Sequence, residues 1–515
     1  MFYAASPELQ EQTRHYSQNQ DIRRMGKIVF DNHYARLPER FYSPQEPVPV
    51  PDPGCIRLNR SLAEDLGIDI QWLASEAGTA MLAGNYLPEG AEPIATAYAG
   101  HQFGGFNPQL GDGRAVLLGE IQALNGRRYD LQLKGSGPTP YSRGGDGRSP
   151  LGPVLREYIL CEAMHRLDVP TTRALAAVTS GERVMRETAL PGAILTRVAS
   201  SHIRIGTFQY FAARKDTEAL HLLTDHVIAR HYPALEDSEN RPAALLTAVI
   251  TRQAQLIAKW QMLGFIHGVM NTDNVLISGE TIDYGPCAFM DEFDPEQVYS
   301  SIDHGARYAY RNQPGIAHWN LSCLANSLIP ILHHDQEQAI ALAQSALDGF
   351  PDLFLEANSA GAARKLGLQA IEADDVPLVD DLWRLMAEQR LDFTLTFRRL
   401  ADLADETNRT GTVADLFEFP SALQPWLDRW RERTAREPTS ASDRQTTMYG
   451  ANPVFIPRNH LVEAAIAAAT DNGDFAVFHQ LVDLLEKPAP YASELRYFAT
   501  PPRPEEIVQQ TFCGT

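Results

Sequence analysis

The sequence is poor in cysteine. Five occur in 515 residues, at positions 55, 161, 287, 323 and 513, with no Cys-x-x-Cys pair and no zinc-type His spacing. That excludes a disulfide-stapled scaffold and the common structural zinc sites, and it fits a reducing compartment. No apolar run reaches the roughly 18 residues of a membrane-spanning helix, so none is expected. The first 21 residues carry Glu8 and Glu11 among many Gln and Ser. They have no apolar segment of the secretory type, and a cytoplasmic location is the expectation. Positive charge is also scarce: 45 Lys and Arg face 65 Asp and Glu, for a net charge of −20. Such a chain repels a phosphate backbone, so nucleic acid is not an expected partner. Any nucleotide site must build its own positive pocket. No internal repeat is visible.

What is present is ordinary globular material, 44% hydrophobic and 21% charged, in a chain long enough for two or more subdomains. Residues 1–21 read as a polar extension and 44–54 as a Pro-rich extended segment. Residues 114–121 and 128–134 read as two strands joined at Asn125-Gly126, a hairpin signal. Tyr129, Leu131 and Leu133 alternate with Asp130, Gln132 and Lys134, which puts Lys134 on the polar face. A Gly-, Ser- and Pro-rich loop follows. Ser149-Pro150 then opens a predicted helix reaching about residue 167. Residues 193–198 read as another strand, and from about Phe208 the chain turns mostly helical. The strongest helix is 243–263, with Leu246, Val249, Ile250, Ile257 and Trp260 on one face and Gly264 as its stop. Residues 274–282 read as a short hairpin, 382–397 and 460–469 as helices, and 435–447 as an exposed Ser/Thr-rich loop. The picture is α+β, with a β-rich first part and a larger helical second part.

Four clusters carry chemistry. Gly111-Asp112-Gly113-Arg114 precedes the first hairpin strand, where glycines let backbone N–H groups approach phosphates; the same run also makes a plain turn. Lys134 can hold nucleotide phosphates if a carboxylate fixes it, and Glu157 on the next helix is the candidate. Asp146-Gly147 lies in the loop between them. Arg197 and Arg204 offer guanidinium forks suited to phosphate, although surface salt bridges would use the same residues. The most specific cluster runs from His267 to Asn274 and leads to Asp283-Tyr284-Gly285. In a protein kinase an Asn ends the catalytic loop, and an Asp-Phe-Gly follows a short hairpin; those two side chains hold the metal ions on ATP. Asn274 and Asp283 occupy that frame here, and their oxygens suit Mg²⁺.

One departure changes the chemistry. A kinase places its catalytic Asp two residues after the His, and this chain has Val269 there. Asp273 is the only carboxylate in the loop. Three readings stand at this point: transfer of a different part of ATP, a phosphotransferase acting on small molecules, and an ATP-binding scaffold without catalysis.

With these clusters in place the chain closely resembles the selenoprotein O (SelO/YdiU) family of pseudokinases. The resemblance rests on the runs at 98–104, 109–120, 134–148, 191–211 and 267–291. It continues through Trp319-Asn320-Leu321, Asn452-Pro453 and Arg458-Asn459, and spans roughly residues 22–515. It implies a protein-kinase-like, two-lobed fold: an N-lobe over 22–205, an enlarged helical C-lobe over 206–500 and a tail over 501–515. It implies transfer of AMP from ATP, in some relatives UMP, to Ser, Thr or Tyr hydroxyls of proteins, with pyrophosphate leaving and a link to redox homeostasis. By the same resemblance Lys134 contacts phosphates and pairs with Glu157. Gly111, Gly113, Arg114, Asp146 and Gly147 line the nucleotide site, and Arg197 and Arg204 clamp an inverted nucleotide. Asp273 is the general base; its ordinary carboxylate pKa is expected to favour orientation of the hydroxyl over proton removal. Asn274 and Asp283 bind Mg²⁺ or Mn²⁺. A disulfide between Cys287 and Cys513 is implied by relatives that join the corresponding cysteines.

Overall fold

A computed structural model of the chain describes residues 28–408, 410–487 and 490–512. The expected extension over 1–21 lies outside the described residues. The strands are β1 (Tyr42–Pro44), β2 (Gly54–Leu58), β3 (Ile94–Thr96), β4 (Gly100–Gln102), β5 (Gly105–Asn107), β6 (Ala115–Gln122), β7 (Arg128–Lys134), β8 (Ser149–Pro150), β9 (Arg173–Met185), β10 (Ala189–Ala199), β11 (Phe265–Ile266) and β12 (Ala288–Phe289). Eight of them form one sheet in the order β1-β3-β6-β7-β10-β9-β2, with β8 attached to β10. Its neighbours are antiparallel throughout. From Ile205 onward the described chain is dominated by helices.

The alternation along β7 decides which way each residue faces. Leu131 and Leu133 enter a core with Leu118, Val178 and Ile194, closed by Leu62, Leu66, Leu73 and Met81 from three short helices. Gln132 and Lys134 therefore face the other side, toward the helix Leu151–Arg166. That helix is buried on almost every face. It packs on β9 and β10 and also against the helices Asn459–Asn472 and Ala476–Glu486. Its residues Leu155, Tyr158 and Ile159 share one apolar cluster with Leu195 of the sheet and Val249, Ile250 and Phe289 of the helical part. The sheet and the helices are thus joined through one continuous core.

Several sequence expectations need correction. The predicted strand 193–198 is the centre of a longer one, and its partner β9 was missed. The alanines at 174, 176 and 177 have low β-propensity, and only their position between two strands makes a strand of them. Residues 274–282 do turn back, with Gly279 N–H donating to the Leu276 carbonyl at 3.1 Å, but the two arms do not pair with each other. Leu276 bridges to Arg204 and Thr281 to Thr171, so each arm is drawn outward by a different neighbour. The segment 382–397 is two helices, Val376–Gln389 and Phe393–Ala404, broken at Arg390 with φ +50° and restarted by Asp392, whose Oδ1 accepts from Leu395 N–H at 2.7 Å. The expected loop 435–447 contains the start of a helix, Ala441–Ala451, because Ser440 is an N-cap receiving Asp443 N–H at 3.1 Å. Among the described residues no helix is long and apolar enough to cross a membrane.

Candidate active site

Lys134 stands directly across from Leu195, and Gln132 across from Arg197, in the β7–β10 ladder. Residues opposite one another in an antiparallel pair share a face, so the two strands deliver Lys134 and Arg197 to the same side. The helix Leu151–Arg166 brings Glu157 up to meet them. Lys134 Nζ donates to Glu157 Oε2 at 2.5 Å, and Arg197 Nε donates to Glu157 Oε1 at 2.8 Å. Arg204 sits at the N-cap of the helix Ile205–Ala213 and reaches the same point from the other side.

All three cations converge on Asp283. Its Oδ1 accepts from Lys134 Nζ at 3.1 Å and from Arg197 Nη2 at 2.7 Å; its Oδ2 accepts from Arg204 Nη1 at 2.8 Å. Asp283 holds this position with φ +63°, a left-handed conformation that costs a non-glycine residue energy and persists only where its surroundings impose it. Burial alone would raise its carboxyl pKa. Arg197, Lys134 and Arg204 override this and hold it well below the usual carboxylate range. Glu157 follows the same pattern: burial pushes up, while Arg197 and Lys134 bring it below its ordinary value.

Asp273 lies on the far wall. Arg204 donates to its backbone carbonyl. Its Oδ2 accepts from Gln102 Nε2 at 3.2 Å, and its Oδ1 is buried without a hydrogen-bond partner. Burial pushes its carboxyl up to about 6, against the opposing pull of Arg204. The sequence expectation of an ordinary carboxylate pKa, favouring orientation over proton removal, is thereby corrected. The missing term was desolvation, which spacing along a chain cannot reveal. Asn274 donates through Nδ2 to the Val269 carbonyl at 2.9 Å, leaving its own oxygen available. The valine in the usual Asp position contributes its backbone to orienting a neighbour.

The hairpin β4–β5 presses on this loop. His101 N–H donates to Thr272 Oγ1 at 2.7 Å and Phe103 N–H to Asn271 Oδ1 at 3.1 Å. The approach is close enough that a Cβ on Gly100 would fall 2.4 Å from Asp273 Oδ1. On the opposite wall the glycine-rich segments form a roof. Gly111, with φ +74°, lies so near the Tyr141 ring that a Cβ would sit 2.3 Å from it, and one on Gly147 would meet the backbone of Gly137 at 2.1 Å. Asp146 is drawn below its usual pKa by hydrogen bonds from Arg186 and also accepts from Arg148 N–H at 2.9 Å.

Between these walls is a cavity of about 780 Å³. Gly111, Gly113, Arg114, Lys134, Asp146, Gly147, Glu157, Arg197, Arg204, Asp273, Asn274 and Asp283 all line it. Cys287 is fully buried just behind the lining residue Pro286. Cys513 lies outside the described residues. The segment before it is docked: Thr511 Oγ1 donates to the Pro286 carbonyl at 2.6 Å, and Thr511 N–H to the Tyr299 carbonyl at 2.8 Å. Sequence reasoning missed Gln102 and Phe103 as partners of the loop, and Tyr98, whose ring lies 4.8 Å from the Arg204 guanidinium. The dense run Tyr98 to Gly104 was the available signal.

Among the described residues no group of three His, Cys, Asp or Glu side chains forms a self-sufficient metal cage. The donors at hand are oxygens of Asp283 and Asn274. That set suits a hard divalent cation whose shell is completed by phosphate oxygens and water.

The family model described as protein adenylyltransferase SelO matches residues 24–486. The chain is 58% identical over 486 residues to the protein nucleotidyltransferase YdiU of Rhodopseudomonas palustris (strain BisB5), covering 94% of this chain and 99% of that one. It is 56% identical over 491 residues to the protein of the same name from Rhizobium meliloti (strain 1021), covering 95% and 100%.

Proposed function

The chain belongs to the protein adenylyltransferase SelO family and is a protein nucleotidyltransferase; from that premise we propose how its own residues move AMP from ATP to a hydroxyl of a protein. The reading takes the fold as kinase-like and two-lobed, with an N-lobe over residues 22–205, a helical C-lobe over 206–500 and a tail over 501–515. The nucleotide lies in the 780 Å³ cavity. The observation that carries the proposal is the convergence of Lys134, Arg197 and Arg204 on the one carboxylate of Asp283.

Two buried arginines and the half-buried Lys134 share two carboxylates, Glu157 and Asp283. An incoming phosphate therefore meets donors that are already desolvated and aimed, and it exchanges with Asp283 as their partner. Glu157 keeps Lys134 and Arg197 in place during the exchange. Asp283, released from its cations, and Asn274 would hold Mg²⁺ or Mn²⁺, which when bound neutralises phosphate charge and polarises the phosphoryl group under attack. The backbone of Gly111, Gly113 and Gly147 admits the nucleotide closely, with Arg114 and Asp146 at its edge.

Asp273 is the general base. With its pKa near 6 it is mostly ionised at neutral pH yet basic enough to take a proton. The acceptor oxygen of a Ser, Thr or Tyr attacks the α-phosphorus as its proton passes to Asp273. The bond from that phosphorus to the β-phosphate bridging oxygen breaks, and pyrophosphate leaves. Gln102 holds Oδ2 of Asp273, while Oδ1 is packed against Gly100 without a hydrogen-bond partner.

The same pocket accepts UTP in this proposal, since the contacts named are to phosphates. The protein acts in the cytoplasm and is redox-responsive through a Cys287–Cys513 disulfide, formed by exchange with a small-molecule disulfide that takes the two electrons and leaves as two thiols. The docking of Thr511 on Pro286 supports that pairing, because it holds the tail beside the residue preceding Cys287. Peptide mass spectrometry after mild oxidation should find the two cysteines linked; two free thiols would refute the link.

Incubation with ATP labelled at the α- or the γ-phosphate, Mg²⁺ and a protein acceptor tests the central reading. Label should enter protein from the α position alone. Entry from the γ position would make the chain a kinase.

A further inference from the structure

A second cavity, of about 890 Å³, opens among helices remote from the nucleotide site. Its wall includes parts of the helices Arg241–Leu263, Phe350–Leu366 and Ala441–Ala451. In a chain of net charge −20 this cavity is lined by Arg166, Lys259, Arg364, Lys365, Arg398 and Lys487, against the single carboxylate of Asp168. That carboxylate is taken, since Lys259 Nζ lies 2.9 Å from it.

Two of the cations are buried in a way the active-site cations are not. Lys365 is 3% exposed. Its Nζ lies 4.0 Å from the Phe397 ring centroid and 5.4 Å from that of Phe393. Among the described residues no carboxylate offsets its burial, which pushes its ammonium pKa down to about 7. Arg398 is 6% exposed and stacks 3.6 Å from the Tyr449 ring centroid. Among the described residues its Nη atoms reach only the carbonyls of Asn452 and Gly411, at 3.4 and 3.3 Å, its Nε has no partner, and the Asp402 carboxylate acts on it through space alone. Aromatic faces soften such burial but do not replace an anion. Much of the remaining wall is apolar, including Met262, Phe455 and Leu485.

We propose that this cavity binds a small organic anion, with a carboxylate or phosphate head held by Lys365 and Arg398 and an apolar body against Met262, Phe455 and Leu485. Arg166 and Arg364, both exposed and on the rim, draw the anion in. The site is independent of the nucleotide reading and survives if that reading fails.

The test is calorimetric titration of the full chain with octanoate, octyl phosphate and inorganic phosphate, with the first cavity saturated by α,β-methylene ATP and Mg²⁺. At least one octyl anion should bind with one site per chain, and inorganic phosphate at least tenfold more weakly; the preferred head group separates the carboxylate source from the phosphate source. Lys365→Met removes an uncompensated charge and should fold, as circular dichroism will verify, while weakening octyl-anion binding at least tenfold. Arg398→Met should do the same. Failure of both octyl anions to bind saturably, or undiminished binding by Lys365→Met, overturns the proposal.

Discussion

The nucleotide cavity and the helical cavity enclose similar volumes, about 780 and 890 Å³, and both gather basic side chains in an acidic protein. They differ in how the buried positive charge is held. Around Asp283 each of the three cations has a carboxylate: Lys134 and Arg197 touch both Glu157 and Asp283, and Arg204 touches Asp283. Among the described residues the cation of Lys365 meets aromatic rings and no acid. The first arrangement is a preorganised network whose partners can be exchanged for phosphate oxygens with little new desolvation. The second leaves its charge uncompensated, so removing that charge should relieve the protein, whereas removing a carboxylate from the first should harm it.

The largest expected effect comes from breaking the first network at its centre. Asp283→Ala should reduce AMP transfer by at least about 10³-fold in the α-label assay, because it removes a proposed metal ligand and the anchor of three cations together. Glu157→Gln should follow. It leaves Arg197 and Lys134 with one carboxylate, and removing one partner of a buried pair costs about 3–5 kcal/mol, readable in urea denaturation. Gly100→Ala should leave the fold intact yet lower kcat by about 10²-fold, since the added Cβ displaces Asp273 and misplacement of a reacting group by about 1 Å has that consequence. Lys365→Met should raise stability by about 1 kcal/mol in the same denaturation experiment, with a sign opposite to that of Glu157→Gln. Equal signs for those two variants would erase the distinction between the cavities. The smallest effect is on pH. With Asp273 near 6, kcat should fall about tenfold per unit below that value as the base becomes protonated, and level off above about pH 7. Gln102→Met removes a hydrogen bond to the ionised form, so the acid limb should move to higher pH.

Much of the first network was legible along the chain. β7 alternates so cleanly that Lys134 could be assigned to the polar face, and Asn125-Gly126 fixed the turn before it, with Gly126 at φ +78°. Asp283 and Asn274 stood out through their spacing from His267. What spacing could not supply was depth. The burial that lifts Asp273 depends on Gly100, which lies 173 positions earlier and touches it only after folding. The Ala-rich strand β9 was hidden for a related reason, because its conformation is imposed by β2 and β10 on either side. The helical cavity left no motif at all. Arg166, Lys365 and Arg398 are far apart in sequence, and no periodic pattern joins them.

The most direct test of the account is a structure of the full chain with α,β-methylene ATP and Mg²⁺, measuring which phosphorus lies nearest the Asp273 carboxylate. The account predicts the α-phosphorus there, with Arg197 and Arg204 moved from Asp283 onto the other phosphates. A γ-phosphorus beside Asp273, with both arginines still bound to Asp283, would contradict it.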